Sequence, residues 1–467
     1  MASQTTKILQ QFETGKLESK GCYKHLNDYE RHQLALLWGE LLARFDVPVE
    51  DLVGANNALI KITDFGITES EMTSSKQKGV VYNGCKYGET VQDKVGSPVV
   101  PLPYSDICKD NTLGSYIWET FREDVPDTLV LRFLRARKWD VDSALDMILT
   151  AVKWRFANNI DELIYYGESL NEASLMYKGT SFVHGLDKLG NPVIWAPSFR
   201  HYQKDQSFTQ AKRYLIYIME TVRPMLRYPN ERVCLIMDLT DHSNANMDWP
   251  FTKMFLKLLE AYYPECLAVC IVYNGPWWFS GVFKLISPLI DTAVAQKIQF
   301  AKNADGLSKF IDKNQILKIR GGNNTYEYTY VLPDPKENAM MADTDGKKAA
   351  LEARNQAAQK LTQATKDWVA ATKEADKFRS NVKHLQDKDS AETLSSDSAT
   401  PDRTSSETRA KEAYNKEMAL AHHRDECQEE FAQAARKLDF YTRARNIYNR
   451  LGVFDGQVAD WSKIQNS

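Results

Sequence analysis

The chain has 467 residues, 43% of them hydrophobic, and a formal net charge of −3. That length allows two to four domains and a sizeable globular core, and the charge balance excludes a whole-protein basic field of the kind that attracts nucleic acid. Seven scattered cysteines and no signal peptide at Met1–Gln11 read as a reduced cytosolic protein, and no run of about 18 apolar residues is present to span a bilayer.

Residues 1–60 read as an N-terminal helical extension. In His32–Phe45, the residues Leu34, Leu37, Trp38, Leu41, Leu42 and Phe45 fall near one helical face. Residues 61–111 are rich in Gly, Ser, Thr, Lys and Pro without sustained periodicity, the pattern of a flexible linker. Residues 112–158 form a small helical lobe of two or three short amphipathic helices, with a helix start near Val141 flanked by Asp140 and Asp142.

Residues 159–332 alternate between strand and helix patterns. Ser181–His184 and Pro192–Ala196 read as a hairpin turning at Asp187–Asn191. Helix Gln210–Leu226 is followed by Arg232–Leu239, whose near-continuous apolar run predicts a strand covered on both faces. Helix Pro250–Tyr262, strand Leu267–Tyr273, a very apolar helix over Trp277–Leu285, a short helix after Asp291, strand Ile298–Ala301 and helix Leu307–Ile311 complete an α/β layer architecture. The apolar helix is too short to span a bilayer and lies between two strands, which suits a movable lid over an apolar cavity. With Glu265 and Lys297 bracketing it, the pattern suggests a carrier for an amphiphile.

Residues 333–467 read as a helical coiled-coil tail. Leu361, Trp368, Ala375, Val382 and Leu385 recur at or near seven-residue offsets, and Cys427, Phe431, Ala434, Leu438, Tyr441 and Tyr448 form a second seam. The Ser/Thr-rich stretch 389–406 between them reads as a disordered loop. The tail is expected to fold back as a hairpin, to self-associate or to meet a protein partner.

Several positions invite chemistry. Arg132, Arg135, Arg137 and Lys138 in RFLRARKWD make either a solvated helix face or an anion site for a phosphate head group. Glu265 and Lys297, if buried, need partners: each other, or a ligand hydroxyl and a phosphate. Asp291 suits a helix N-cap. Asp238, Asp241, His242 and Ser243 are sequence neighbours without a nucleophile elbow, so they do not make a hydrolase. Cys266 and Cys270 lack a second ligand pair, and His422, His423 and Cys427 lack further ligands. Gly321-Gly322 reads as a turn. The expectation is therefore no catalytic residue, no metal and no cofactor.

RFLRARKWD, IMDL, YYPE, NGPWWFS and DTAVAQKI, in that order between Leu113 and Leu332, resemble the CRAL-TRIO lipid-binding family, most nearly its fungal phosphatidylinositol transfer branch. The resemblance implies a CRAL-TRIO fold: a helical lobe, a mainly parallel-sheet lipid-binding lobe and a gating helix. It places the head-group contacts on Arg137, Lys138, Glu265 and Lys297. A family threonine is replaced by Val294. Positions that are Ser and Thr in members binding phosphatidylcholine are Val233 and Leu235, which cannot hydrogen-bond a phosphate. Lid and cavity residues are expected at Trp277, Trp278, Phe279, Phe283 and Leu285. The implied function is binding and transfer of phosphatidylinositol, with weak or no phosphatidylcholine binding and transient peripheral contact with a membrane of unspecified organelle. Two rivals stand beside it: a carrier of a neutral lipid such as squalene, a sterol or an isoprenoid, and a membrane-sensing scaffold acting through the tail.

Overall fold

Five strands build one sheet in chain order: β1 (Phe182–Leu186), β2 (Pro192–Pro197), β3 (Val233–Asp238), β4 (Leu267–Tyr273) and β5 (Ile298–Ala301). β1 runs antiparallel to β2, and β2 to β5 are parallel. In this computed structural model the described residues are 2–17, 19–62, 84–100, 104, 110–391, 401–456 and 458–464. The two-residue pleat sorts the apolar run of β3: Val233, Leu235 and Met237 line a cavity, whereas Cys234 and Ile236, both fully buried, alternate with them toward the other layer. Helices Phe208–Val222 and Trp249–Lys257 lie over the cavity face.

The helical lobe begins with Asp28–Leu42, where Asn27 and Glu30 form a reciprocal capping box. Leu113–Phe121, Pro126–Ala136 and Val141–Ala157 follow; the last is capped by the Asp140 side chain, which accepts from the Ser143 N–H at 2.8 Å. The N-terminal extension is not separate from this lobe, because Leu34, Leu37, Trp38 and Leu41 share one core with Ile117, Leu131 and Ile148.

Three expectations need correction. Much of 61–111 lies outside the described residues, but Val91–Val95 inside it is a helix with a Thr90–Asp93 capping box, and Val91 is fully buried. Five residues are too few to show a period. The helix expected at Leu307–Ile311 lies earlier, at Ala304–Leu307, started by the Asn303 side chain. The long helices run Thr344–Ala391 and Pro401–Thr442, so both edges of the expected loop 389–406 are helical, and 392–400 lie outside the described residues. Their 48 and 42 residues reach roughly 72 and 63 Å at 1.5 Å per residue.

These helices pack on each other and on the helical lobe, and Leu361, Trp368, Cys427 and Phe431 belong to its core. Val382 and Leu385 lie where side chains are not described. Tyr448 lies past the helix end, in a segment that returns to the sheet: its hydroxyl accepts from the Val183 N–H at 2.6 Å, covering the edge strand β1. Trp461 packs edge-on against His184.

Candidate functional site

The parallel register brings the residues just before β3, β4 and β5 to one edge of the sheet. These are Arg232, Glu265 and Lys297. The Glu265 carboxylate accepts from the Lys297 ammonium at 3.1 Å and lies 3.9 Å from the Arg232 guanidinium. Burial alone would push the Glu265 carboxyl up, but Lys297 and Arg232 hold it below the usual carboxylate value. Burial draws the Lys297 ammonium down, Glu265 offsets this in part, and Arg232 adds to the depression. Glu265 adopts a left-handed backbone, φ 54°, sterically costly for a residue with a Cβ and concentrated in proteins at functional positions.

The helix Pro126–Ala136 ends against this edge. Arg137, Glu265, Lys297, Val294 and Asp291 line one small pocket of about 30 Å³. Asp291 also serves as a helix cap, accepting from the Ala293 N–H at 2.7 Å. Lys138 is exposed and outside the pocket lining, in contrast to the sequence-based expectation; the turn ending this helix, with positive φ at Lys138 and Trp139, separates it from Arg137. Arg135 enters the same field: its guanidinium lies 3.9 Å from Glu231, and burial, countered by Glu231 and Glu265, draws its pKa down. Arg232 and Glu231 were missed in the sequence. A charge immediately preceding each apolar strand was the available signal.

Next to this pocket, sharing Leu259, Tyr263 and Cys266 with it, lies an apolar cavity of about 150 Å³ whose wall includes Val233, Leu235, Leu215 and Phe255. The preceding helix widens into a π turn at Leu258–Tyr262, and Leu259, Tyr262 and Tyr263 from this stretch join the wall. A second cavity of about 150 Å³ continues from the first, sharing Ala196, Leu215, Met237, Phe251 and Phe255 with it. Together they reach the lower end of ligand-site volumes, roughly 300 Å³. The pocket and the two cavities thus lie in a row along the strands, from the ionic residues at the N-terminal ends to the apolar helix Phe279–Ile286 beyond the C-terminal ends.

Phe279 and Ile286 line the far cavity. Phe283 turns to Phe300 instead, edge-on at 5.2 Å. Trp278 tilts over His242 at 5.6 Å. Trp277 and Leu285, expected on the cavity, face outward at 89% and 69% exposure. Helical geometry turns Leu285 about 100° away from Ile286, onto the flank of the helix, and Trp277 precedes the first turn. The polar residues near this end have structural partners: Asp238 pairs with Arg320 and caps Thr240, and Ser243 bonds Asn246.

Comparison with known proteins gives the family. The CRAL/TRIO domain matches residues 176–322, and the CRAL/TRIO N-terminal domain matches 91–150. A CRAL-TRIO domain-containing protein of Schizosaccharomyces pombe, C3H8.02, is 31% identical over 347 residues, 73% of this chain and 69% of that protein. The phosphatidylinositol transfer protein CSR1 of Eremothecium gossypii is 33% identical over 55% of this chain and 61% of its own length. Patellin-1 of Arabidopsis thaliana is 29% identical over 50% of this chain and 41% of its length.

Proposed function

The chain belongs to the CRAL-TRIO family of lipid-binding proteins, and on that premise we propose that it binds phosphatidylinositol and exchanges it between membranes without catalysis. The observation that carries this reading is an ionic pocket that shares its wall with an apolar tunnel of two cavities: Arg137 and Lys297 line the pocket with Glu260, Glu265 and Asp291, and Arg232 lies 3.9 Å from Glu265. The inositol phosphate occupies the pocket, Glu265 accepts from a ring hydroxyl, and the acyl chains follow the tunnel. Arg137 and Lys297 supply the charge, and Lys138 is left aside. Val233 and Leu235 on the wall offer no hydrogen bond to a choline phosphate and favour phosphatidylinositol over phosphatidylcholine.

Exchange follows from differential stabilisation. Each buried CH₂ contributes about 0.8 kcal/mol, so two acyl chains cannot leave through water at a useful rate. At a bilayer the helix Phe279–Ile286 swings outward, because Phe279 and Ile286 then find lipid in place of the tunnel, with Trp277 and Leu285 already outward. The hairpin seam faces the chain's own helical lobe, which favours exchange by the lipid lobe over a scaffold recruiting a partner through that seam.

The test is Arg137→Ala combined with Lys297→Ala. Transfer of phosphatidylinositol between vesicles falls at least tenfold while the melting temperature stays within a few degrees. Unchanged transfer removes the head-group assignment.

A further inference from the structure

Arg132 is a buried cation without a counter-charge. Its side chain is 5% exposed and lines the apolar cavity beside Val233, Leu235 and Cys266. It makes no hydrogen bond or ion pair among the described residues, and its Nε is fully enclosed with no acceptor. The other two guanidiniums on that wall are matched: Arg155 donates to Glu220 at 2.6 Å, and Arg223 donates to Asp124 at 3.0 Å and to the carbonyl oxygens of Thr120 and Phe121. No carboxylate lines the cavity. A guanidinium cannot shed its proton to relieve such a position, and an unpaired buried charge is strongly unfavourable.

Position along the helix says where the missing anion belongs. Arg132 and Ala136 are four residues apart and share a face of Pro126–Ala136. Ala136 lines the ionic pocket, and Arg132 lines the tunnel roughly 6 Å deeper at 1.5 Å per residue. The two spaces meet at Leu259, Tyr263, Pro264, Cys266 and Leu267.

We propose that Arg132 is an internal anion subsite that receives the single negative charge of an amphiphile, a phosphodiester or a carboxylate, held between the ionic pocket and the acyl tunnel. In phosphatidylinositol that group is the phosphodiester, and the subsite then deepens the function proposed above. In a fatty acid it is the carboxylate, and the subsite then stands without that reading.

The experiment uses the full chain and three probes: pyrene-labelled phosphatidylinositol in phosphatidylcholine vesicles, a dansyl-labelled fatty acid, and pyrene-labelled diacylglycerol, which carries no charge. Arg132→Met lowers uptake of both anionic probes at least tenfold and leaves diacylglycerol within twofold. Arg132→Lys keeps most of the anionic uptake, and Arg132→Gln, a second neutral variant should Met disturb folding, loses it. Without ligand, Arg132→Met melts several degrees above the unsubstituted protein, since it removes an unpaired buried charge. Arg137→Ala with Lys297→Ala lowers uptake of phosphatidylinositol and spares the fatty acid. Wild-type protein that takes the fatty acid through Arg132 but not phosphatidylinositol supports the subsite and ends the phosphatidylinositol reading. Equal uptake of both anionic probes by wild type and the neutral variants overturns the subsite, as does an equal loss of diacylglycerol.

Discussion

Buried arginines occur in two settings in this molecule. Between the hairpin and the helical lobe, Arg424 lies between Trp38 and Trp368, 5.1 and 4.7 Å from their ring centres, and grips both oxygens of Asp127. Asp127 also accepts from the Trp38 indole at 2.7 Å and from Gln428 at 3.0 Å. Nearby, Arg443 joins Asp439 and Glu123, and Arg122 reaches Asp439 and Asp161. Along the N-terminal edge of the sheet the balance differs. Arg132, Arg135, Arg137, Arg232 and Lys297 stand among Glu231, Glu260, Glu265 and Asp291, and among the described residues neither Glu231 oxygen nor the Arg132 guanidinium has a hydrogen bond. Matched charge specifies how two parts of a fold meet; surplus charge at the end of an apolar tunnel specifies a ligand of opposite sign.

The largest effect expected from breaking a matched pair is at Arg424. Arg424→Met strands the Asp127 carboxylate in the core and lowers stability by about 3–5 kcal/mol, read by denaturant unfolding. A loss below about 1 kcal/mol would erase the distinction between the two regions.

His184 sharpens the comparison, because it is a buried basic group that can discharge itself. It is fully buried, stacks on Tyr326 at 3.9 Å and meets the Asn324 amide at 2.9 Å. Burial draws its pKa from 6.5 to about 4, with the Asn324 contact offsetting a little. The folded form keeps the ring neutral, and the unfolded chain binds a proton below pH 6.5. This contribution is therefore intact above pH 6.5, falls as the pH drops toward 4, and is then constant, a change of about 3 kcal/mol. His184→Phe removes that slope, so the stabilities of wild type and variant converge or cross between pH 7 and 4. Parallel curves would show that His184 titrates alike in both states.

A smaller effect concerns the tunnel wall. Val233→Ser with Leu235→Thr gives the wall two hydroxyls and raises phosphatidylcholine uptake several-fold in a vesicle assay, at a modest cost in stability. No gain would mean that head-group choice is made in the ionic pocket alone.

Much of this was legible in the sequence, for identifiable reasons. The near-continuous apolar runs of β3 and β4 mark strands covered on both faces, and the Asp140 and Asp291 caps follow from short side chains that satisfy free N–H groups. Glu265 and Lys297 were visible as lone charges beside apolar strands, and one of their expected partners was each other. The docking of the hairpin was not legible, because a heptad seam at Phe431 reads the same whether it meets a partner chain or its own lobe. Nor was the isolation of Arg132 within RFLRARKWD: adjacent arginines look alike until the fold decides which of them a carboxylate can reach. Lys138 shows the same limit from the opposite side, since one turn of backbone separates an exposed lysine from the pocket that holds Arg137.

The most direct measurement is native mass spectrometry of the purified full chain, with extraction and identification of whatever lipid accompanies it. A bound mass equal to phosphatidylinositol, absent from the Arg137→Ala, Lys297→Ala protein, is the predicted result. Wild-type protein carrying only phosphatidylcholine, a neutral hydrocarbon or nothing would contradict it.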